Sequence, residues 1–190
     1  MSTKISFNAF SLGDVQRAKQ QIIAYRQNLI AKCERFVREL ANKGILVAQE
    51  NVDEEFGQLI MFSVETDPNQ YGCKAVMFGT NTGVIKSRWQ GVGGITIEAD
   101  VSPLLMAEFG SGLRAQRSSN EWASRLGYGT GTFPDQTHAW DPNGWWYKTT
   151  EEDGGEWHHS YGVYATMPMW HALDEMKEQV VEVAREVFGS

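Results

Sequence analysis

Glu156, His158 and His159 give the segment EWHHS the strongest potential for metal chemistry in the chain, and His138 would add a third imidazole. Carboxylate and imidazole groups are zinc ligands, so a metal-dependent hydrolase is one interpretation. However, neighbouring residues on a strand point to opposite faces, so the two adjacent histidines cannot reach one ion unless the strand is broken there. The H-E-x-x-H pattern, which places two imidazoles one helical turn apart, is absent. We therefore expect no metal ligands and no cofactor.

Three tryptophans, Trp145, Trp146 and Trp157, lie on either side of the segment EEDGG, and this arrangement predicts a β-hairpin with Asp153 and Gly154 in a tight turn. Flat indole rings can stack on sugar rings, so a carbohydrate-binding module is a second interpretation. Trp145 and Trp146 should face opposite sides of their strand. At least one of them should therefore belong to the core, and the three rings cannot all line one platform.

Residues suited to nucleophilic or acid-base catalysis do not form a recognisable pattern. The G-x-S-x-G elbow is absent, and Cys33 falls in a predicted helix without a recognisable histidine partner. The carboxylate pairs Glu54–Glu55 and Glu151–Glu152 fall in polar turns, where charges are normally solvated. Acid-base catalysis instead needs a buried carboxyl group with a shifted pKa. We therefore expect a protein that is not an enzyme.

The composition favours one soluble domain. The chain has 190 residues, 42% of them hydrophobic, which is enough to form a core. Its formal charge of −7 disfavours a nucleic-acid-binding function, because phosphate binding requires concentrated Lys and Arg. Cys33 and Cys73 stand far apart, which is typical of core residues in a reducing compartment. No secretory signal and no run of roughly 20 apolar residues is visible, so we expect no membrane partner.

The strongest structural signal is a long N-terminal helix, with Ser11 as its predicted cap and Asp14 three residues later. Apolar residues then recur at helical spacing at Val15, Ala18, Ile22, Tyr25, Leu29, Cys33, Phe36 and Leu40. The spacing continues past Gly44, which would permit a close backbone contact, to about Glu50. Such a helix is about 55 Å long, whereas a compact chain of this size is about 40 Å across. We expect the helix to extend beyond the globule.

A second apolar flank of this helix consists of Ile23, Ile30 and Val37, with Lys19 and Arg26 set between them. This is more apolar surface than one packing face requires. Two interpretations stay open. Either the chain's own sheet covers both faces, or a partner subunit covers part of the surface.

The middle of the chain is rich in predicted strands. Alternating or continuous apolar residues predict three or four antiparallel strands, at 59–65, 74–80, 84–89 and 95–101. Ser102 and Pro103 are expected to open a short helix that Gly110 ends. Thr166 is expected to cap a final helix with Pro168 in its first turn. The predicted class is α+β, with an antiparallel sheet packed against a long N-terminal helix and a C-terminal helix.

A polar, glycine-rich segment from residue 111 to about 135 carries three arginines, Arg114, Arg117 and Arg125. A structureless stretch of this length inside a compact domain is either mobile or bound to something else. We expect it to become ordered against a neighbouring subunit. Together with the hairpin it forms a long loop and hairpin insertion, at about 111–164, in a single α+β domain of residues 1–190.

Two short segments, in this order and spacing after the N-terminal helix, resemble the bacteriophage tail-completion or head-tail joining family of long-tailed phages. In that family a segment of the form E-[FY]-G-[ST] follows the sheet, and a proline after a short polar stretch opens the last helix. The corresponding residues here are Ala107, Glu108, Phe109, Gly110 and Ser111, then Ala165, Thr166, Met167, Pro168, Met169 and Ala172. The resemblance covers most of the chain, but the family's common short form lacks the insertion.

The resemblance implies a non-enzymatic structural protein of the virion, made in the host bacterial cytoplasm and placed at the neck or the head-proximal end of the tail. It implies a connector, minor capsid or tail-completion role and a homo-oligomeric ring. The implied partners are other neck and tail proteins, namely a connector, tail terminator or tail tube, and sequence-specific nucleic-acid binding is not expected. The residues we expect at assembly interfaces are Ile23, Arg26, Ile30, Val37, Arg114, Arg117 and Arg125.

Overall fold

A computed structural model describes residues 5–90, 92–115 and 141–189. The helices of this part of the chain are α1 (Leu12–Glu50), α2 (Glu54–Gly57), α3 (Pro103–Phe109), α4 (Gly112–Ala115) and α5 (Pro168–Phe188). The strands are β1 (Ile60–Asn69), β2 (Gly72–Asn81), β3 (Ile85–Gln90), β4 (Thr96–Val101), β5 (Trp145–Lys148) and β6 (Trp157–Ser160). The predicted α+β class, with a long helix at each end and antiparallel strands between them, is confirmed.

α1 begins where the sequence predicts, because the Ser11 hydroxyl accepts a hydrogen bond from the Asp14 N–H at 3.3 Å. The helix contains 39 residues, a length of about 58 Å at the usual rise, and it passes through Gly44 without a break. Its two halves differ in exposure: every residue from 19 to 29 is exposed, whereas Gly44 and Ala48 are buried. The N-terminal part of α1 therefore extends from the globule.

α5 packs in antiparallel orientation against the C-terminal half of α1. A Cβ atom at Gly44 would lie 3.0 Å from Met176 Cγ and 3.3 Å from the Ala172 carbonyl oxygen, so a side chain here would force Met176 and the backbone of α5 to move away. Towards the other end of α5, the rings of Phe36 and Phe188 have centroids 5.8 Å apart. The close contact predicted at Gly44 is confirmed.

The six strands form three antiparallel ribbons of two strands each, β1–β2, β3–β4 and β5–β6. The β1–β2 ribbon lies along α1, where Arg38 donates a hydrogen bond to the Thr66 hydroxyl at 3.0 Å. Near the turn of this ribbon, Arg26 donates to the Gln70 carbonyl oxygen at 3.2 Å. The predicted antiparallel strands are present, but they pair as separate ribbons instead of one continuous sheet, since β3 does not hydrogen-bond to the edge of β2.

α3 joins the β1–β2 ribbon to the core. Asn81, at the end of β2, accepts a hydrogen bond from the Leu104 N–H at 2.9 Å and donates one to the Ser102 hydroxyl at 2.7 Å. Ser102 also caps α3, as predicted. A Cβ atom at Gly79 would lie 2.9 Å from Leu104 Cδ2, so this leucine packs directly on the backbone of β2. The buried cluster that Leu104 contacts consists of Phe56, Ile60 and Ala107.

β5 and β6 form the predicted hairpin, but the tight turn predicted at Asp153–Gly154 is wrong. The strands pair as far as Lys148 and Trp157. Beyond them the Thr149 N–H still donates to the Glu156 carbonyl oxygen at 2.9 Å, so residues 150–155 form the connecting loop. Two successive glycines of this connection have positive φ angles of 104° and 63°, a backbone conformation that glycine adopts at low cost. The reversal is therefore spread over a longer loop.

Candidate functional site

The two segments that carry the family resemblance lie against each other in the fold. We call their contact the junction; it is formed by residues 107–111 and 163–169. The carbonyl oxygen of Ala107 accepts hydrogen bonds from the N–H groups of Thr166 at 2.8 Å and Met167 at 3.1 Å. Ala107 is fully buried there. Two motifs that are 59 positions apart at this contact thus form one structural unit.

Glu108 is the buried carboxylate of the junction, with only 6% of its surface exposed. Its Oε2 atom accepts a hydrogen bond from the N–H of Met169, in the first turn of α5, at 2.9 Å. A carboxylate at this place satisfies a free N–H group and interacts favourably with the helix dipole. The prediction that Thr166 caps α5 is therefore wrong. The N-cap is Met167, in a left-handed conformation with φ 50°, and a side chain from α3 supplies the acceptor.

Gly110 and Ser111 hold the segment before α5 against the end of α3. Ser111 donates its N–H to the Val163 carbonyl oxygen at 2.9 Å, and its hydroxyl accepts from the Val163 N–H at 3.0 Å. Gly110 ends α3, as predicted, with a φ of 65°, and a Cβ atom there would lie 2.5 Å from the Val163 oxygen. Only glycine fits this position, so the E-F-G-S pattern has a structural reason.

Of the three arginines predicted in the segment 111–135, Arg114 falls within the described residues, since Arg117 and Arg125 lie outside them. Its Nη1 atom donates a hydrogen bond to the Gly162 carbonyl oxygen at 3.0 Å. Its guanidinium carbon lies 4.4 Å from the centre of the Tyr164 ring. A planar guanidinium can make both contacts together. Arg114 therefore stabilises the segment beside the junction from within the chain.

The predicted flank of α1 divides into an exposed and a half-buried part. Ile23 is 45% exposed, and Arg26 is exposed while it donates its hydrogen bond to Gln70. Ile30 and Val37, further along the same flank, are half-buried. The described part of the chain therefore covers only the C-terminal portion of this flank.

The main apolar stripe of α1 is also largely exposed over its first turns, where Ala18 is its buried member. Ile22, Tyr25 and Leu29 are 54%, 53% and 41% exposed. We call residues 12–29 the projecting half of α1. It carries three basic residues and one acidic residue, a net charge of +2 in a chain whose formal charge is −7. The projecting half is thus both apolar and basic, which is typical of a surface that binds another molecule.

One side of the β5–β6 ribbon, which we call the aromatic face, exposes four rings. Trp146 and Trp157 are each 64% exposed. The ring of His159, which pairs with Trp146 across the ribbon, lies 4.7 Å from its indole and contacts Tyr161 edge-on at 4.6 Å. Trp145 is half-buried. Trp145 and Trp146 thus differ in burial, as the alternation of side chains along a strand predicts. The second exposed indole of the aromatic face is that of Trp157, on β6.

The two adjacent histidines contact different rings, as the alternation of a strand requires. His158 stacks on Tyr147 with centroids 5.6 Å apart, whereas Nε2 of His159 lies 2.8 Å from the Asn143 carbonyl oxygen. In the described ranges, no group of three His, Cys, Asp or Glu side chains is placed to hold a metal ion. His138 lies outside those ranges. The metal interpretation gains no support from the geometry.

Sequence reasoning missed Glu108 as the cap of α5 because the residue it caps is 61 positions away, and no local pattern reports such a contact.

The shared face of Trp146 and Trp157 did have a signal in the sequence. When Trp145 pairs with Ser160, every even-numbered residue of β5 shares a face with the odd-numbered residues of β6. The tight turn that we predicted would also place even-numbered residues of the first strand on the same face as odd-numbered residues of the second. The shared face of Trp146 and Trp157 could therefore have been predicted from the sequence.

Together these features define an α+β fold whose distinctive parts are a hydrogen-bonded junction, a projecting amphipathic helix and an aromatic hairpin face. No protein-family model matches the chain, and no curated protein or solved structure matches it. Each helix in the described residues is too short or too polar to span a bilayer.

Proposed function

We propose that the protein is a structural component of a bacteriophage virion, a head-tail connector or tail-completion protein of the neck that acts in head-tail joining or tail assembly. The projecting half of α1 carries this proposal, because its apolar stripe continues for several turns beyond the part that α5 and the β1–β2 ribbon cover. Exposed apolar surface of this extent is normally occupied by a protein partner. The protein is proposed to work without catalysis, as part of a ring.

The junction supports this role because it fixes how α3 and α5 meet. Glu108 is buried and bonded to Met169, and Ser111 bonds twice to Val163. A neck component acts through rigid surfaces of matched shape rather than through a pocket. The net charge of −7 also suits a ring through which DNA passes, since a negative surface does not hold phosphates tightly.

The proposal is tested by deleting the gene from the phage genome that carries it and imaging the lysate by electron microscopy. We expect filled heads and tails that accumulate unjoined, or tails that remain incomplete. Plasmid-borne wild-type protein should restore joined particles, whereas Ile22→Asp with Tyr25→Asp should not, because both charges fall on the exposed stripe.

Gln21→Asp with Asn28→Asp is the matched control, since both residues are exposed and lie on the projecting half away from the stripe. This variant should restore joining. Normal joined particles in the absence of the gene product, or a gene located outside any phage or prophage genome, would overturn the proposed function.

Carbohydrate binding is a second candidate function, favoured by the two indoles that share the aromatic face. Aromatic faces of this kind stack on sugar rings. A glycan array should then show binding that Trp146→Ala and Trp157→Ala each abolish. His158→Ala, on the other side of the ribbon, should leave binding intact. Absence of binding to any glycan would remove this candidate.

A further inference from the structure

The projecting half of α1 has a complementary surface on the same chain, on the outer side of α5. Acidic residues recur at every fourth position of α5, at Asp174, Glu178, Glu182 and Glu186, which aligns them along one side of the helix. Glu178, Glu182 and Glu186 are exposed. Over its length α5 carries five acidic and two basic residues, a net charge of −3. Like charges at this spacing are unfavourable unless a positive partner is present.

An apolar residue accompanies these charges. Val181 is 57% exposed, although α5 is otherwise packed through fully buried residues such as Val183. The outer side of α5 therefore combines Val181 with the acidic residues and with the exposed Arg185, one helical turn after Val181. The projecting half of α1 combines exposed isoleucines and leucine with Lys19 and Arg26.

Contacts among the described residues involve only part of this charge. Lys177 bonds to Asp174 at 3.1 Å. Glu39, through a hydrogen bond and its charge, and more weakly Glu186 raise the pKa of Arg35 on α1. The complementarity to a second surface therefore rests mainly on Glu178 and Glu182, which lie one helical turn apart on the exposed side.

We propose that the projecting half of α1 docks on the outer side of α5 of a second copy of this chain. Pairing of α1 with α1 would place basic residues against basic residues, and pairing of α5 with α5 would place acidic residues together. Only the unlike pairing brings opposite charges and exposed apolar residues into contact. The contact is heterologous, so repetition around an axis generates a closed ring or, without closure, a filament.

This inference rests on the proposed function, because it treats the projecting half as an assembly surface. It goes further by identifying the partner of that surface as α5 of a second copy. It is tested by sedimentation of the purified full-length chain over a range of concentrations. We expect the wild type to associate and the association to weaken with added salt. Lys19→Glu with Arg26→Glu, and separately Glu178→Lys with Glu182→Lys, should each weaken association by about 30-fold or more, because like charges then meet.

The decisive variant combines all four substitutions in one chain, which reverses both surfaces and should restore association. Gln21→Glu with Asn28→Glu is the matched control on the opposite side of α1 and should associate like the wild type. Circular dichroism and thermal unfolding of each variant establish that loss of association is not loss of folding.

Several outcomes would overturn the inference. They are a wild type that stays monomeric at every concentration, full association after Glu178→Lys with Glu182→Lys, and no recovery in the combined variant. A monomer whose projecting half instead binds vesicles of anionic lipid would identify α1 as a membrane-surface helix. None of these results depends on the outcome of the complementation experiment in the phage. Failure of this interface and failure of the proposed function are therefore distinguishable.

Discussion

The two halves of α1 carry the same apolar periodicity and have opposite surroundings. In the C-terminal half, Gly44 and Ala48 are buried against the rest of the fold, and Phe36 contacts Phe188 of α5. In the projecting half, Ile22 and Tyr25 lie on the same stripe and are more than half exposed. The difference is not in the helix itself, because both halves have regular helical structure. It arises from the neighbours, since the contacts of α5 and of the β1–β2 ribbon reach only part of its length.

This comparison separates two roles of one amphipathic pattern. Where α5 and the β1–β2 ribbon lie on the stripe, it contributes to the stability of the fold. Where its residues are exposed, as at Ile22 and Tyr25, the same pattern contributes little to the stability of the monomer and is available to a partner. Substitutions in the two halves should therefore affect different measurements, and the predictions that follow use this contrast.

Gly44→Leu should have the largest effect on stability. Its Cβ atom would lie 3.0 Å from Met176 Cγ and 3.3 Å from the Ala172 carbonyl oxygen, and the remaining side-chain atoms have no space between α1 and α5. Overpacking of this kind costs about 2–3 kcal/mol in free energy of unfolding. Urea denaturation followed by circular dichroism would measure the change.

Ala24→Leu is the matched substitution in the projecting half, where residue 24 is exposed. It adds the same side chain to the same helix and should change the unfolding free energy by less than about 0.5 kcal/mol. A similar loss of stability in both variants would contradict the division of α1 into a covered and an uncovered half.

The parts of the fold that local patterns determine were accessible from the sequence. The Ser11 and Ser102 caps, the continuation of α1 through Gly44 and the end of α3 at Gly110 follow from residue type and spacing. The cap of α5 was not accessible, because Glu108 reaches Met169 only after the junction has formed. The exposure of the projecting half depends in the same way on where α5 and the ribbons come to lie, which no local pattern specifies.

Phe36→Ala should lower the free energy of unfolding by about 2 kcal/mol, which is a smaller loss than that of Gly44→Leu. The ring is only half-buried, and a fully buried phenylalanine contributes more to stability. Tyr25→Ala, at the corresponding position on the exposed stripe, should leave unfolding nearly unchanged and should weaken self-association instead. Parallel denaturation and sedimentation of both variants would check this exchange of effects. A Tyr25→Ala protein with lowered stability and normal association would show that the projecting half is packed within its own chain.

Among the substitutions in the covered half of α1, Arg38→Met should have the smallest effect on stability, together with a local electrostatic effect that can be measured separately. Arg38 bonds to Glu34 and to the Thr66 hydroxyl where the β1–β2 ribbon lies on α1. Its side chain is 52% exposed, so the loss should be about 0.5 kcal/mol or less.

The thiol of Cys73 is sensitive to the contact between α1 and the β1–β2 ribbon. Burial and then the charge of Glu34 raise the pKa of this thiol, while Arg38 lowers it. Arg38→Met should therefore raise the thiol pKa further, and Glu34→Gln should lower it. The pH dependence of alkylation, followed by mass spectrometry of the peptide that contains Cys73, measures both shifts. Arg17→Met, which removes a 3.3 Å ion pair with Asp14 on the projecting half, should leave the alkylation profile unchanged because that pair is near neither the ribbon nor the thiol.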